Sequence, residues 1–210
     1  MKNDPVLETI ATYDQVAEEY KERYIKDADK NHMQPYLDLF LNLLGENKDV
    51  LDIGSGAGFD AKYLSDHGCK VTSIDLSKQM MAVAKIVAPE VTFEEMDMRN
   101  LRFEASKFGG VWASASLLHI PKDEVGRAVS GIYRVLNTDG IALIAVKEGQ
   151  GEAFVVNEGE GNLAGARRFF AYYTKEEMEQ ILKDNHLKTL EFRINTNRGN
   201  TWLNFFCKKS

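Results

Sequence analysis

The chain is poor in the residues that mark many other classes of protein. Its two cysteines, Cys69 and Cys207, fall far apart in stretches that read as strands. A disulfide framework is therefore excluded, and reduced, half-buried thiols are expected. There is no C-x-x-C and no H-x-x-x-H spacing, so no zinc site is indicated and no metal is expected. Only four prolines occur, and no internal repeat or low-complexity tract is present. No apolar run is long enough to cross a bilayer, and Met1-Lys2-Asn3-Asp4-Pro5 lacks the apolar segment of a secretory signal. A cytoplasmic protein without membrane contact is expected. Basic charge is not in excess either. The net charge is −6 with both signs interspersed, which argues against nucleic-acid binding, since that needs a basic face. A small anionic substrate held by two or three local arginines stays compatible with this balance.

What is present is an ordinary globular composition, 44% apolar and 28% charged over 210 residues, enough for one domain with a substantial core. Ile10, Tyr13, Val16, Ala17 and Tyr20 recur at helical spacing, and a second stripe runs over 33–44. Strand and helix patterns then alternate. Strands are predicted at 50–53, 70–75, 91–95, 108–114 and 141–146, the last a continuous apolar run typical of a doubly covered parallel strand. Helices are predicted at 57–67, from the Ser77 cap to Ala88, and after Pro121 with the stripe Val125, Val129, Ile132, Tyr133 and Leu136. Asn137-Thr138-Asp139-Gly140 reads as a turn. Thr174-Lys175-Glu176-Glu177 reads as a capping box opening a last helix. Strands at 189–194 and 201–207 close a hairpin across residues 197–200. Seven strands in this order predict an α/β fold, a doubly wound and mostly parallel sheet with one antiparallel strand near its edge. The pattern lapses over 148–173, which holds five glycines; that segment is expected to be a loop on the substrate side of a cleft.

The chemistry gathers at three strand ends. The first is Leu51-Asp52-Ile53-Gly54-Ser55-Gly56-Ala57-Gly58, a strand running into an acid and then three glycines at alternate positions. Glycines there permit a sharp turn and let a ligand approach bare backbone, in the crevice where open α/β sheets bind nucleotide-like ligands. Gly56-Ala57-Gly58-Phe59-Asp60-Ala61 formally matches the dinucleotide fingerprint G-x-G-x-x-G/A, a weak signal by itself. Asp52 pulls the other way, because a carboxylate at that point repels a pyrophosphate and attracts an ammonium or sulfonium. The second is Asp75 at the end of the next strand, able to accept both hydroxyls of a ribose, or else to stabilise the helix start beside Ser77. The third is Asp97-Met98, an acid and an apolar side chain suited to the edge and face of an adenine; alone, Asp97 reads as a solvated loop acid.

Together these elements resemble the class I S-adenosylmethionine-dependent methyltransferases, at superfamily level and over nearly the whole chain. The resemblance extends to Ser116-Leu117-Leu118-His119-Ile120-Pro121, to Arg134-Val135-Leu136-Asn137-Thr138-Asp139-Gly140, and to Tyr13-Asp14-Gln15-Val16-Ala17-Glu18-Glu19-Tyr20. Asn137-Thr138 departs from the Lys-Pro of many relatives, at a position that shapes a turn. The resemblance implies the Rossmann-like methyltransferase fold, S-adenosylmethionine as cofactor with S-adenosylhomocysteine as product, and residues 1–46 as a helical cover. It implies that Asp52, Gly54, Ser55 and Gly56 line the methionine half and Asp75 the ribose. Leu76 and Met80 would meet the adenine face, Asp97 and Met98 its edge, while Ser114 passes beneath the methionine. Tyr20 is either a contact to the methionine carboxylate or a plain core aromatic. His119 is either a general base or a residue that fixes the loop after the fourth strand. Arg167, Arg168, Tyr172 and Trp202 combine cations with aromatic faces that suit a small acceptor bearing a carboxylate or phosphate. The expected partner is a small-molecule methyl acceptor, with the chain a monomer or homodimer. Two alternatives stand beside this reading: a nicotinamide-dependent oxidoreductase, and a non-catalytic S-adenosylmethionine-binding protein.

Overall fold

The computed structural model describes residues 4–26, 32–156 and 165–209. Nine strands are present among them: β1 (Asp49–Ile53), β2 (Lys70–Asp75), β3 (Thr92–Glu95), β4 (Phe108–Ser114), β5 (Leu136–Lys147), β6 (Glu152–Val156), β7 (Arg167–Ala171), β8 (Leu187–Asn197) and β9 (Asn200–Lys209). The helices are α1 (Pro5–Lys26), α2 (Gln34–Leu43), α3 (Phe59–Asp66), α4 (Lys78–Val87), α5 (Lys122–Val135) and α6 (Lys175–Asp184). Seven strands form one sheet in the order β3-β2-β1-β4-β5-β9-β8. The pairs among β1 to β5 are all parallel. β9 runs antiparallel to both β5 and β8, so it is the single reversed strand, one place in from the edge.

The two faces of the sheet explain the apolar runs. On one face the α5 stripe Val125, Ala128, Val129, Ile132 and Val135 packs on Leu51, Ile53, Ile74, Val111, Ala142 and Ile144. On the other, Phe40, Ala61 and Leu64 pack on Val50, Val71, Trp112 and Leu143. Neighbouring residues of one strand thus reach opposite cores, which is why β4 and β5 carry no polar alternation.

Local chemistry sets the element ends. Ser77 caps α4 by accepting from Met80 N at 3.1 Å, and Thr174 with Glu177 forms the expected capping box. The helix predicted from residue 57 begins at Phe59, because Gly58 precedes it in the left-handed region at φ +85. The 137–140 turn is present as a looped-out stretch at the start of β5: Phe108 pairs with Leu136, Gly110 already with Ile141, and Asp139 stands at φ 65. The expected loop over 148–173 needs correction. Its described ends are strands, β6 and β7, paired antiparallel as a separate hairpin with Phe154 opposite Phe169; residues 157–164 lie outside the described residues. The hairpin is a separate sheet in which β6 is largely exposed and β7 ends in three consecutive buried residues, so neither strand shows the period-two alternation by which a strand is recognised.

Candidate functional site

At the carboxyl ends of β1, β2 and β4 the chain leaves a cleft of about 790 Å³, open solvent at its mouth included. Its floor is the glycine turn. Gly54, Gly56 and Gly58 stand at φ +83, +49 and +85, conformations that favour glycine. A Cβ on Gly54 would come within 2.6 Å of Ser116 Cβ, whereas above Gly56 the space is open for 4 Å. Gly54 N and Ser55 N both donate to Ile74 O, at 2.8 and 3.1 Å, which pins the turn to the end of β2.

Asp75, at that end of β2, faces the cleft. One carboxylate oxygen accepts from Ser77 N at 2.8 Å; the other accepts from Gly56 N at 3.3 Å and Ser55 Oγ at 3.4 Å. Burial raises its pKa and these hydrogen bonds oppose the rise. Leu76, Met80, Asp97, Met98 and Ser114 also line the cleft, as do Gly54 and Gly56. Asp97 is less free than its sequence position suggests. Arg99 Nε donates to both of its oxygens, at 3.1 and 3.0 Å, and Arg99 Nη2 to one at 2.7 Å. Burial pushes Asp97 up, but the Arg99 bonds outweigh it and hold the carboxyl below its ordinary value.

Two of the expected residues stand behind the wall. Ser55 is buried and turned to Asp75. Asp52 is 3% exposed and does not line the cleft. It accepts from Ser73 Oγ at 2.5 Å, and its pKa is pushed up to about 7, by burial first, then by the charges of Asp60 and Asp75, with the Ser73 bond opposing.

The roof is α1, which contributes Val6, Thr9, Ile10, Tyr13 and Tyr20. Tyr20 lies edge-on to Tyr13 with ring centroids 6.0 Å apart; burial, with Tyr13 adding, pushes its hydroxyl up to about 12. Tyr13 meets His119 Nε2 at 2.9 Å, and His119 Nδ1 meets Phe169 O at 2.7 Å. A carbonyl only accepts, so Nδ1 carries the proton, Nε2 is bare, and the Tyr13 hydroxyl donates to it. His119 is held neutral: burial lowers its pKa to about 3, and Arg168 and Lys147 add to the lowering. Both imidazole nitrogens are thus engaged within the protein.

The four residues expected on the acceptor side divide. Arg167 is exposed, paired with Glu8 and laid over the Phe154 ring at 3.9 Å, away from the cleft. Arg168 donates to Tyr13 Oη at 3.2 Å and lies 5.3 Å from the Phe170 centroid. Tyr172 stacks on Phe170 at 6.2 Å. Trp202 joins through Lys147, whose ammonium is 5.6 Å from its centroid and 4.3 Å from that of Phe170. Sequence reasoning missed Lys147, although a cation ending the apolar run of β5, just before Glu148, was a visible signal. It also missed Tyr13 as the partner of His119, for which helical spacing offers no sign.

Residues 50–140 match the family described as a methyltransferase domain. The malonyl-(acyl-carrier protein) O-methyltransferase of Enterobacter lignolyticus is 33% identical over 92 residues, which are 44% of this chain and 36% of that protein. The first curated relatives are matched over only 36–57% of their own length. Among solved structures, the 1,6-didemethyltoxoflavin-N1-methyltransferase of Burkholderia thailandensis, with 1,6-didemethyltoxoflavin and S-adenosylhomocysteine bound, is similar at TM-score 0.76. It is 23% identical, with 98% of this chain and 88% of that one covered. A solved (4+2)-cyclase is similar at TM-score 0.66 and 18% identity, over 88% of this chain and 83% of that one. The fold is the Rossmann-like fold these structures share.

Proposed function

We propose, from the match of residues 50–140 to a methyltransferase domain, that the chain is a class I S-adenosylmethionine-dependent methyltransferase that methylates a small-molecule acceptor and releases S-adenosylhomocysteine. The observation that carries this reading is the pairing of an open glycine floor at Gly56 with the carboxylate of Asp75 beside it. The residues present suit the cofactor. Asp75 retains acceptor capacity for a ribose. Ser116 Oγ is buried at the cleft with no partner among the described residues, ready for a polar group of a ligand. Asp52, its pKa pushed up to about 7, would in its ionised form supply negative charge behind the turn, favourable to a sulfonium and ammonium and adverse to a diphosphate.

When bound, S-adenosylmethionine supplies a methyl group on a positive sulfur, open to in-line displacement. The residues of the chain act by alignment, which contributes about 7–11 kcal/mol in favourable cases. Gly54 and Gly56 would hold the methionine half, Leu76 and Met80 would pack the adenine face, and Asp97 with Met98 would meet its edge, all of them lining the cleft. α1 excludes water from above, with Tyr20 over the methionine end. His119 serves as a positioning residue, since its bare nitrogen is already occupied by Tyr13; it ties the roof to β7. The wider reading includes a cytoplasmic place, supported by two buried free thiols, a monomer or homodimer, and no nucleic-acid partner. Among the described residues, no helix is long and apolar enough to cross a membrane.

The test is turnover with labelled methyl donor and a broad panel of small acceptors, followed as label in product and release of S-adenosylhomocysteine. Label transfer is expected, with a turnover rate at saturating cofactor that shows no limb from His119 near pH 6.5, while a limb near pH 7 in cofactor affinity belongs to Asp52. The sign follows from His119: a folded pKa near 3 leaves it neutral throughout neutral pH. Cofactor binding without transfer to any acceptor would instead favour the non-catalytic alternative.

A further inference from the structure

Two cations stand together beside the cleft with no ion-pair partner among the described residues. Lys147 ends β5 and is half-buried, its ammonium over Phe170 at 4.3 Å and near Trp202 at 5.6 Å. Arg168 comes from β7, with its Nε buried and unpartnered among the described residues. Its one hydrogen bond there is from Nη1 to Tyr13 Oη. The neighbouring acid Glu8 is taken by Arg167. The electrostatics agree with the geometry: burial, then the Arg168 charge, lowers the pKa of Lys147. Half-buried like charges of this kind carry a desolvation cost that the aromatic faces offset only in part.

The cluster adjoins the cleft rather than standing apart from it. Arg168 bonds Tyr13, and Phe170 packs on His119 at 4.8 Å between centroids; Tyr13 and His119 both line the cleft. Phe170 and the Tyr172 ring stacked on it, with Trp202 across Lys147, supply flat apolar faces beside the charges. We propose that the methyl acceptor is a flat small molecule carrying an anionic group, held between the Lys147 ammonium and the Arg168 guanidinium. The inference rests on the methyltransferase reading and specifies its acceptor. Lys147 is the specificity-determining residue: it rewards an anion in a site whose remaining surface is aromatic.

The shared chemistry has a second source, the carboxylate of the cofactor itself, and the experiment separates the two. The full chain is saturated with S-adenosylhomocysteine and titrated by calorimetry with benzoate and 2-naphthoate, then with the corresponding amides. Lys147→Met is used because Arg168 also holds Tyr13. In the wild type the carboxylates should bind about tenfold or more tighter than the amides. Lys147→Met should lose that preference, Lys147→Arg should keep it, and both should bind S-adenosylhomocysteine within about twofold of wild type. The proposal is overturned if amides bind as well as carboxylates, if no carboxylate binds, or if Lys147→Met retains the preference. It is also overturned if cofactor affinity falls together with it, which would assign the cations to the cofactor. A wild type that does not take up S-adenosylhomocysteine marks a different failure, that of the methyltransferase reading.

Discussion

Asp52 sits 3% exposed beneath the glycine turn with its pKa pushed up to about 7, by burial first and then by Asp60 and Asp75. A carboxyl whose folded pKa exceeds its unfolded value near 3.8 favours the protonated form in the fold, so its ionised form costs stability. The cost is absent at low pH, grows as pH rises from about 4, and is complete above about 7. Asp52→Asn should therefore stabilise the protein by on the order of 1–3 kcal/mol at pH 8 and by little at pH 4. Urea denaturation at the two pH values measures this; equal effects at both would show that Asp52 is not held against its charge. On the proposed function, the same substitution should weaken cofactor binding at pH 8, where Asp52 is ionised. The acid was legible because charge at the end of an apolar strand has no packing rationale. That it stands behind the cleft wall was not legible, since alternation along a five-residue strand is masked when both faces are buried.

At the scale of elements, α1 is the part of the site most dependent on long-range contacts. Asp14 accepts from Ser77 Oγ at 2.6 Å and from Gln79 N at 3.1 Å at the start of α4. Thr9 Oγ1 accepts from Phe169 N at 2.9 Å. Arg99 forms the clasp at the front end, reaching Asp4 at 2.9 Å while holding Asp97 and Glu124, each at 2.7 Å. Its side chain is only 12% exposed, so losing it leaves three carboxylates close together. Arg99→Met should raise the dissociation constant for S-adenosylhomocysteine about tenfold. It should also speed amide exchange over 5–26 while leaving β8 and β9 unchanged. Unaltered exchange in α1 would show that the clasp does not hold the roof. Periodicity was enough to find α1 and α2, but nothing local in the sequence pairs Arg99 with an acid 95 positions away. The β6–β7 hairpin was missed for a related reason: β6 is largely exposed, and Phe169 and Ala171 of β7 reach the core only through tertiary packing.

Over the whole molecule, the strand order reverses direction between β1 and β4, and the cleft opens at that switch point, as expected of a doubly wound sheet. This much was readable, because buried parallel strands, capped helices and positive-φ glycines each leave a local mark: Ile141 to Val146 for β5, Thr174 with Glu177 for α6, Gly54 to Gly58 for the turn. The acceptor side was not readable to the same degree, since Lys147, Arg168 and Trp202 meet only through tertiary packing. On the proposed function, the glycine turn, Asp75 and the ionised Asp52 together hold S-adenosylmethionine rather than a dinucleotide. Calorimetric titration of wild type and Asp75→Ala with S-adenosylhomocysteine and with NAD tests it most directly. One-site binding of S-adenosylhomocysteine is expected, with a loss of at least about tenfold in Asp75→Ala and no binding of NAD; uptake of NAD alone would show that the cleft is a dinucleotide site.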